Sequence, residues 1–204
     1  MTQNDARGAV RRAQILGAAA TVFARQGYHG SRMDDIVKEA GLSKGALYWY
    51  FKSKEELATA LVHQMLADET LVMDELVGQD TPASERLEQL VRAFAGELTK
   101  NPDHAPLALE LLALSQTIPA IRSCYSAHHD HYQEQVRTLL LQLGGADSFT
   151  EGERRRRADA AALALLSVVD GLVLRWTLAT SPFDLEDRLW AAVSGIVRGM
   201  NAAD

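Results

Sequence analysis

The chain has 204 residues, of which 47% are hydrophobic and 24% charged, and a formal net charge of −6. That is enough chain for one substantial core and a small head, and the composition excludes a disordered polymer. The longest mainly apolar run, Ala160 to Val169, is bounded by Asp159 and Asp170, and no basic leader with a cleavage site precedes it, so no membrane contact is expected; the single cysteine, Cys124, excludes an internal disulfide and fits a reducing, cytoplasmic setting.

Residues 1–10 show no periodicity and are expected to form a mobile tail. From Arg11 to Gln26 the apolar positions Ile15, Ala18, Ala19, Val22 and Phe23 recur at helical spacing, and Gly27 supplies the stop. Ser31, with Asp34 three residues on, reads as the N-cap of a short helix whose Ile36, Val37 and Ala40 share a face, and Gly41 can take the left-handed conformation that ends it. Ser43 then caps another short helix, with Leu47 pointing inward beside Leu42 and with Lys44, Tyr48, Trp49 and Tyr50 outward. Ser53 and Glu56 have the spacing of a capping box, opening a long helix to about Val77 with Leu57, Leu61, Met65 and Leu66 inward.

Thr81 before Pro82 reads as an N-cap with proline in the first helical position, and Asn101-Pro102 closes that helix. A leucine-rich helix from about Asp103 to Gln116 follows, then one from Pro119 to Leu143 before Gly144-Gly145. Thr150 and Glu153 form a second capping box for a helix to about Ala179, and Ser181-Pro182 opens the last, to about Met200. No stretch has a useful strand pattern, so the expected fold is all-α with about nine helices.

Two short helices joined by a tight turn are a helix-turn-helix, and the charge distribution agrees with a nucleic-acid role. Residues 1–54 carry nine Lys or Arg against four Asp or Glu, a balance of +5, which leaves −11 on the remainder. A basic head on an acidic body attracts DNA at the head alone. The amides at the start of the Ser43 helix suit a phosphate or a major groove, and Gly45 and Ala46 let the backbone approach base edges, with Ala46 able to touch a thymine methyl.

The run LYWYFKSKEEL, following AGLSKGA, closely resembles the signature of TetR-family transcriptional regulators, and the resemblance covers roughly the first quarter of the chain. It implies that Lys44 reaches a base or a phosphate, that Tyr48, Trp49 and Tyr50 line the sugar-phosphate backbone, that Lys54 adds a phosphate contact, and that Ser31 and Arg32 touch the opposite backbone. Tyr50 stands where histidine is frequent, and Trp49 is also a departure. The implied organisation is an arm and DNA-binding domain over residues 1–54 and an effector-binding and dimerisation domain over residues 55–204.

In this family the body usually encloses a ligand cavity. Candidate cavity residues are Phe94, Leu98, Glu110, Leu111, Leu114, Tyr125, His128 and Trp176, chosen as large, aromatic or isolated polar groups on mainly apolar helices. The segment DGLVLRW with the later SPFD resembles the C-terminal layout of the betaine-responsive branch and of others, which names no ligand. The last two helices are apolar on more than one side, and Leu165, Val169, Gly171, Leu172, Leu189, Val193, Ile196, Val197 and Met200 are the candidate seam of a twofold four-helix bundle.

His128, His129 and His131 have no Cys or carboxylate completing a recognised metal spacing, so no metal and no cofactor is expected. Arg154 to Arg157 read as a solvated or salt-bridged face. No nucleophile-base order, phosphate loop or paired carboxylates suggests catalysis. The expectation is a homodimeric cytoplasmic repressor that binds a palindromic double-stranded operator and leaves it when a small, largely apolar effector binds. A ligand-independent or activating regulator is one rival, and a helical carrier or enzyme is the other.

Overall fold

The computed structural model describes residues 3–101, 104–143, 149–181 and 183–202. Met1 and Thr2 of the expected tail, and the boundary residues Pro102, Asp103, Gly144, Gly145 and Pro182, lie outside the described residues. Among those described there are nine helices and no strand: α1 (Gln3–Gln26), α2 (Met33–Ala40), α3 (Lys44–Tyr50), α4 (Lys54–Val77), α5 (Ala83–Lys100), α6 (His104–Leu114), α7 (Pro119–Gln142), α8 (Glu151–Thr177) and α9 (Leu185–Asn201).

Several boundaries differ from the sequence expectation for identifiable reasons. α1 begins at Gln3 instead of Arg11. Extending an existing helix is cheap compared with nucleating one, and exposed Ala9 and Val10 need no apolar partner to continue it. Ser31 is not the cap of α2. Its hydroxyl donates to the Tyr28 carbonyl at 2.7 Å, Arg32 is the cap residue, and the Asp35 carboxylate accepts the Arg32 N–H at 3.0 Å.

At the start of α4 only half of the capping box forms. Ser53 Oγ accepts the Glu56 N–H at 3.0 Å, but the Glu56 carboxylate takes the Lys52 N–H at 2.7 Å. Pro82 itself is the cap of α5, and Asp184 caps α9 by accepting the Asp187 N–H at 2.9 Å, so both helices start later than read from the prolines. The Thr150–Glu153 box is complete, each side chain bonding the other's backbone N–H.

The helices sort into two compact units, neither of them one continuous segment. One is Met1–Ala67 with Pro106–Ser126, the other Asp68–Ala105 with Ala127–Asp204. The first is built on Ile15, Leu16, Val22 and Phe23 of α1, Ile36 of α2, Leu47 of α3, Leu57 and Leu61 of α4, Leu107, Leu111 and Leu114 of α6, and Ile121 of α7. The second packs Leu87, Val91 and Ala95, one helical turn apart on α5, with Met73, Val136, Leu140, Ala158, Ala161, Ala162, Leu165, Leu185, Leu189 and Val193.

That second core corrects part of the expected dimer seam. Leu165, Leu189 and Val193 are no more than 3% exposed within the unit and have no face left for a partner. Val169, Leu172, Ile196, Val197 and Met200 are half-buried against the same core, and Gly171 is exposed. The open apolar groups of α8 are Leu163 and Leu174, with Leu178 just past its end.

Candidate nucleic-acid interface

The turn between α2 and α3 is built from its own sequence. Gly41 adopts φ 65°, ψ 34°, its N–H bonds the Lys38 carbonyl, and the Leu42 N–H reaches back to the Val37 carbonyl, both at 3.1 Å. This closes α2 as a glycine-ended helix and tucks Leu42 against the core. Ser43 Oγ then accepts the Ala46 N–H at 3.2 Å, and fully buried Leu47 fixes the rotation of α3 about its axis.

With Leu47 inward, Lys44, Gly45 and Trp49 are exposed, Trp49 by 71%, while Ala46, Tyr48 and Tyr50 are half-buried. A Cβ on Gly45 would meet nothing within 4 Å. Trp49 and Tyr50 rings meet edge to face at 4.6 Å, and the Lys44 ammonium lies 6.0 Å from the Tyr48 ring centre. Lys44 pairs at 2.8 Å with Asp34 of α2, whose carboxyl is held below the usual carboxylate range by that hydrogen bond and charge. The contacts thus join Lys44 to Asp34 and Tyr48, and Trp49 to Tyr50, while Arg32, whose charge also acts on Asp34, is exposed.

Two predicted contacts are turned inward instead. Ser31 is 3% exposed, its hydroxyl occupied as described above. Lys54 donates its ammonium to the carbonyls of Tyr28 at 2.5 Å, Ser31 at 2.8 Å and His29 at 3.5 Å, and sits 4.5 Å from the Tyr28 ring centre. Burial lowers its affinity for the proton, and the charge of Glu110 acts the other way. In this structure Lys54 therefore holds the turn carbonyls as a clamp.

Lys52 was missed by the sequence reading. Its ammonium donates to the Tyr48 and Trp49 carbonyls at 2.8 and 3.3 Å, closing the C-terminus of α3. A lysine directly after a helix end was the available signal. Arg12 is another: its guanidinium lies 5.4 Å from the Phe51 ring centre, a packing role that periodicity could not show.

The eight candidate cavity residues divide between the two units, with Glu110, Leu111, Leu114 and Tyr125 in the first and Phe94, Leu98, His128 and Trp176 in the second. Leu111 and Leu114 are core residues of the first, Tyr125 packs against that core, and the Glu110 carboxylate accepts the Tyr28 backbone N–H at 2.5 Å. In the second unit Phe94, Leu98 and Trp176 pack around the core. His128, its side chain 9% exposed, has Nδ1 3.3 Å from Thr70 Oγ1 and Nε2 3.4 Å from a Glu69 oxygen, with the Tyr132 ring at 4.4 Å. Near it, desolvation pushes the Asp170 carboxyl above its usual range, His129 and His128 pull it back, and Glu69 pushes it up. Arg154 and Arg155 pair with Glu151, in keeping with a salt-bridged face.

Comparison with known proteins gives the family. The family described as bacterial regulatory proteins, tetR family, matches residues 15–61, and that described as the BetI-type transcriptional repressor C-terminal domain matches residues 83–200. The fatty acid metabolism regulator protein of Bacillus subtilis is 27% identical over 176 residues, covering 84% of this chain and 86% of that protein. The crystal structure of FadR from Bacillus subtilis in complex with stearoyl-CoA superposes with a TM-score of 0.76 at 25% identity, over 92% of this chain and 98% of that one. A TetR regulator from Haloarcula marismortui shares the fold with a TM-score of 0.80 at 17% identity, over 95% and 100% of the two chains. With a DNA-reading head built as described and a family match over more than half its length, the chain belongs to the TetR family of transcriptional regulators.

Proposed function

We propose that this regulator acts as a homodimeric repressor, reading a palindromic operator with α3 and leaving it when a small, largely apolar effector binds the part of the chain beyond residue 54. The observation that supports the DNA reading is the set of basic, small and aromatic groups on α3, with Lys44, Gly45 and Trp49 exposed, Ala46, Tyr48 and Tyr50 half-buried, and exposed Arg32 capping α2. The helix that carries them is fixed by Ser43 and Leu47. An open Gly45 beside a small Ala46 lets the backbone approach base edges, while the aromatic groups and Lys44 suit phosphate and sugar.

Dimerisation is supported by α8. It is 27 residues long and strongly apolar, yet only 17% of its most apolar stretch is buried, with Leu163 and Leu174 open to solvent. Such a face is stabilised by a second copy of itself, and a twofold axis would repeat the DNA-reading surface as a palindrome requires. An effector with an apolar chain is in keeping with the similarity to a regulator crystallised with stearoyl-CoA.

Selecting from a random duplex pool at near-physiological salt tests this reading. Enrichment of a palindrome with half-sites about one helical turn apart supports it, with specific binding at least ~10³ tighter than non-specific. A purified dimer, free of bound small molecules, that enriches no sequence would overturn it.

A further inference from the structure

We propose that Glu110 is a positioning residue of the DNA-reading head, its carboxylate fixing the turn between α1 and α2 and thereby the pose of α2 and α3. The inference rests on the DNA-binding reading above. It begins with Gly27, whose φ of 72° turns the chain out of α1. After that reversal the Tyr28 N–H lies past the helix's own carbonyls and needs another acceptor.

That acceptor is Glu110 Oε1 at 2.5 Å, 82 positions away in sequence. The approach depends on the glycine, since a Cβ at Gly27 would stand 3.0 Å from the same oxygen. From the other side Lys54 holds the carbonyls of Tyr28 and Ser31. A carboxylate thus grips the N–H of Tyr28 while an ammonium grips its C=O, and their opposite charges reinforce the grip. Ser31 leads directly into Arg32, the cap of α2, and α2 leads through Gly41 into α3. A shift of the turn therefore displaces the start of α2 and the surface beyond it.

Reach separates this role from a generic one. An aspartate at position 110 keeps the charge but is one methylene short, whereas glutamine loses the charge but keeps an oxygen at the right distance. Deleting a carboxylate near a DNA-reading head would by electrostatics alone tighten DNA binding. A positioning role has the opposite sign.

The test uses the full chain as wild type, Glu110→Ala, Glu110→Asp and Glu110→Gln, with Glu75→Ala as an exposed control. Two quantities are read: the ratio of affinities for the duplex enriched by wild type and for a scrambled duplex, and hydrogen exchange at the Tyr28 amide against the Leu57 amide. The expected result is a ratio lowered about tenfold or more, with Tyr28 exchange faster by a similar factor, in the Ala and Asp variants. The Gln variant should stay within about threefold of wild type, and Leu57 exchange should be unchanged in all. Wild-type ratios and exchange in the Ala and Asp variants would overturn the proposal, as would parallel acceleration at Tyr28 and Leu57, which marks general destabilisation. If wild type enriches no duplex, the DNA reading fails separately. The exchange measurement then decides alone: acceleration confined to the turn upholds the anchor, and its absence removes it.

Discussion

The Lys54 ammonium donates to the Ser31 carbonyl across 2.8 Å, so the first lysine of α4 closes a turn of the head from within. Replacing it should therefore cost stability more than DNA contacts. Lys54→Ala is expected to lower unfolding free energy by about 1.5–3 kcal/mol, the range for a hydrogen bond to a charged group. The slope of log affinity against log salt should stay unchanged for whatever fraction remains folded. Denaturant unfolding and a salt titration of duplex binding measure the two effects separately.

Lys44 is the contrasting lysine, exposed and paired with Asp34. Lys44→Ala should reduce the salt slope by about 1 with no change in thermal midpoint. Asp34→Asn removes the competing carboxylate and frees the ammonium, so duplex affinity should rise on the order of severalfold at low salt and converge with wild type at high salt. Unchanged affinity in both variants would place the DNA contact elsewhere.

Two leucines on α8 two positions apart should behave oppositely. Leu165 is 3% exposed in the core of its unit, and Leu165→Ala should destabilise by about 2–5 kcal/mol. Leu163 is 57% exposed, and Leu163→Glu should leave helix content intact while shifting sedimentation from dimer to monomer at micromolar concentration.

The Asp170 carboxyl gives a pH prediction. Its folded value lies above the ordinary 3.8, so between the two values the folded chain binds more protons than the unfolded one. Stability then falls as pH rises through that window, and ionised Asp170 opposes folding at neutral pH. Asp170→Asn should raise the thermal midpoint at pH 7, and the gain should vanish below the ordinary value, where both side chains are uncharged. The residue keeps solvent exposure, which limits the gain.

Gly27 and Gly41 both have positive φ, but only Gly27 faces a close neighbour. Gly41→Ala should cost about 1–2 kcal/mol for the left-handed backbone alone. Gly27→Ala should cost more, because its Cβ also crowds the Glu110 oxygen that the Tyr28 N–H donates to, and urea unfolding of the two variants compares them directly.

The sequence by itself determined the elements whose signals are local. Gly41 ends α2, Ser43 caps α3, Thr150 and Glu153 cap α8, and the periodic Ile15, Val22 and Phe23 bury one face of α1, because each interaction spans no more than a few turns. The outward Lys44 and Trp49 followed from Leu47 pointing in, a consequence of helical geometry. Only the tertiary structure decided the destinations of groups whose partners lie far along the chain. Lys54 reads as a surface phosphate contact, and in the structure its ammonium also holds the Ser31 carbonyl, 23 residues earlier. Glu110 accepts the amide of Tyr28, 82 residues earlier, a contact that no local pattern announces. Leu165 and Leu163 are the same residue type on one apolar helix, and no pattern in α8 tells which is covered, because burial belongs to the neighbouring helices and not to the helix itself.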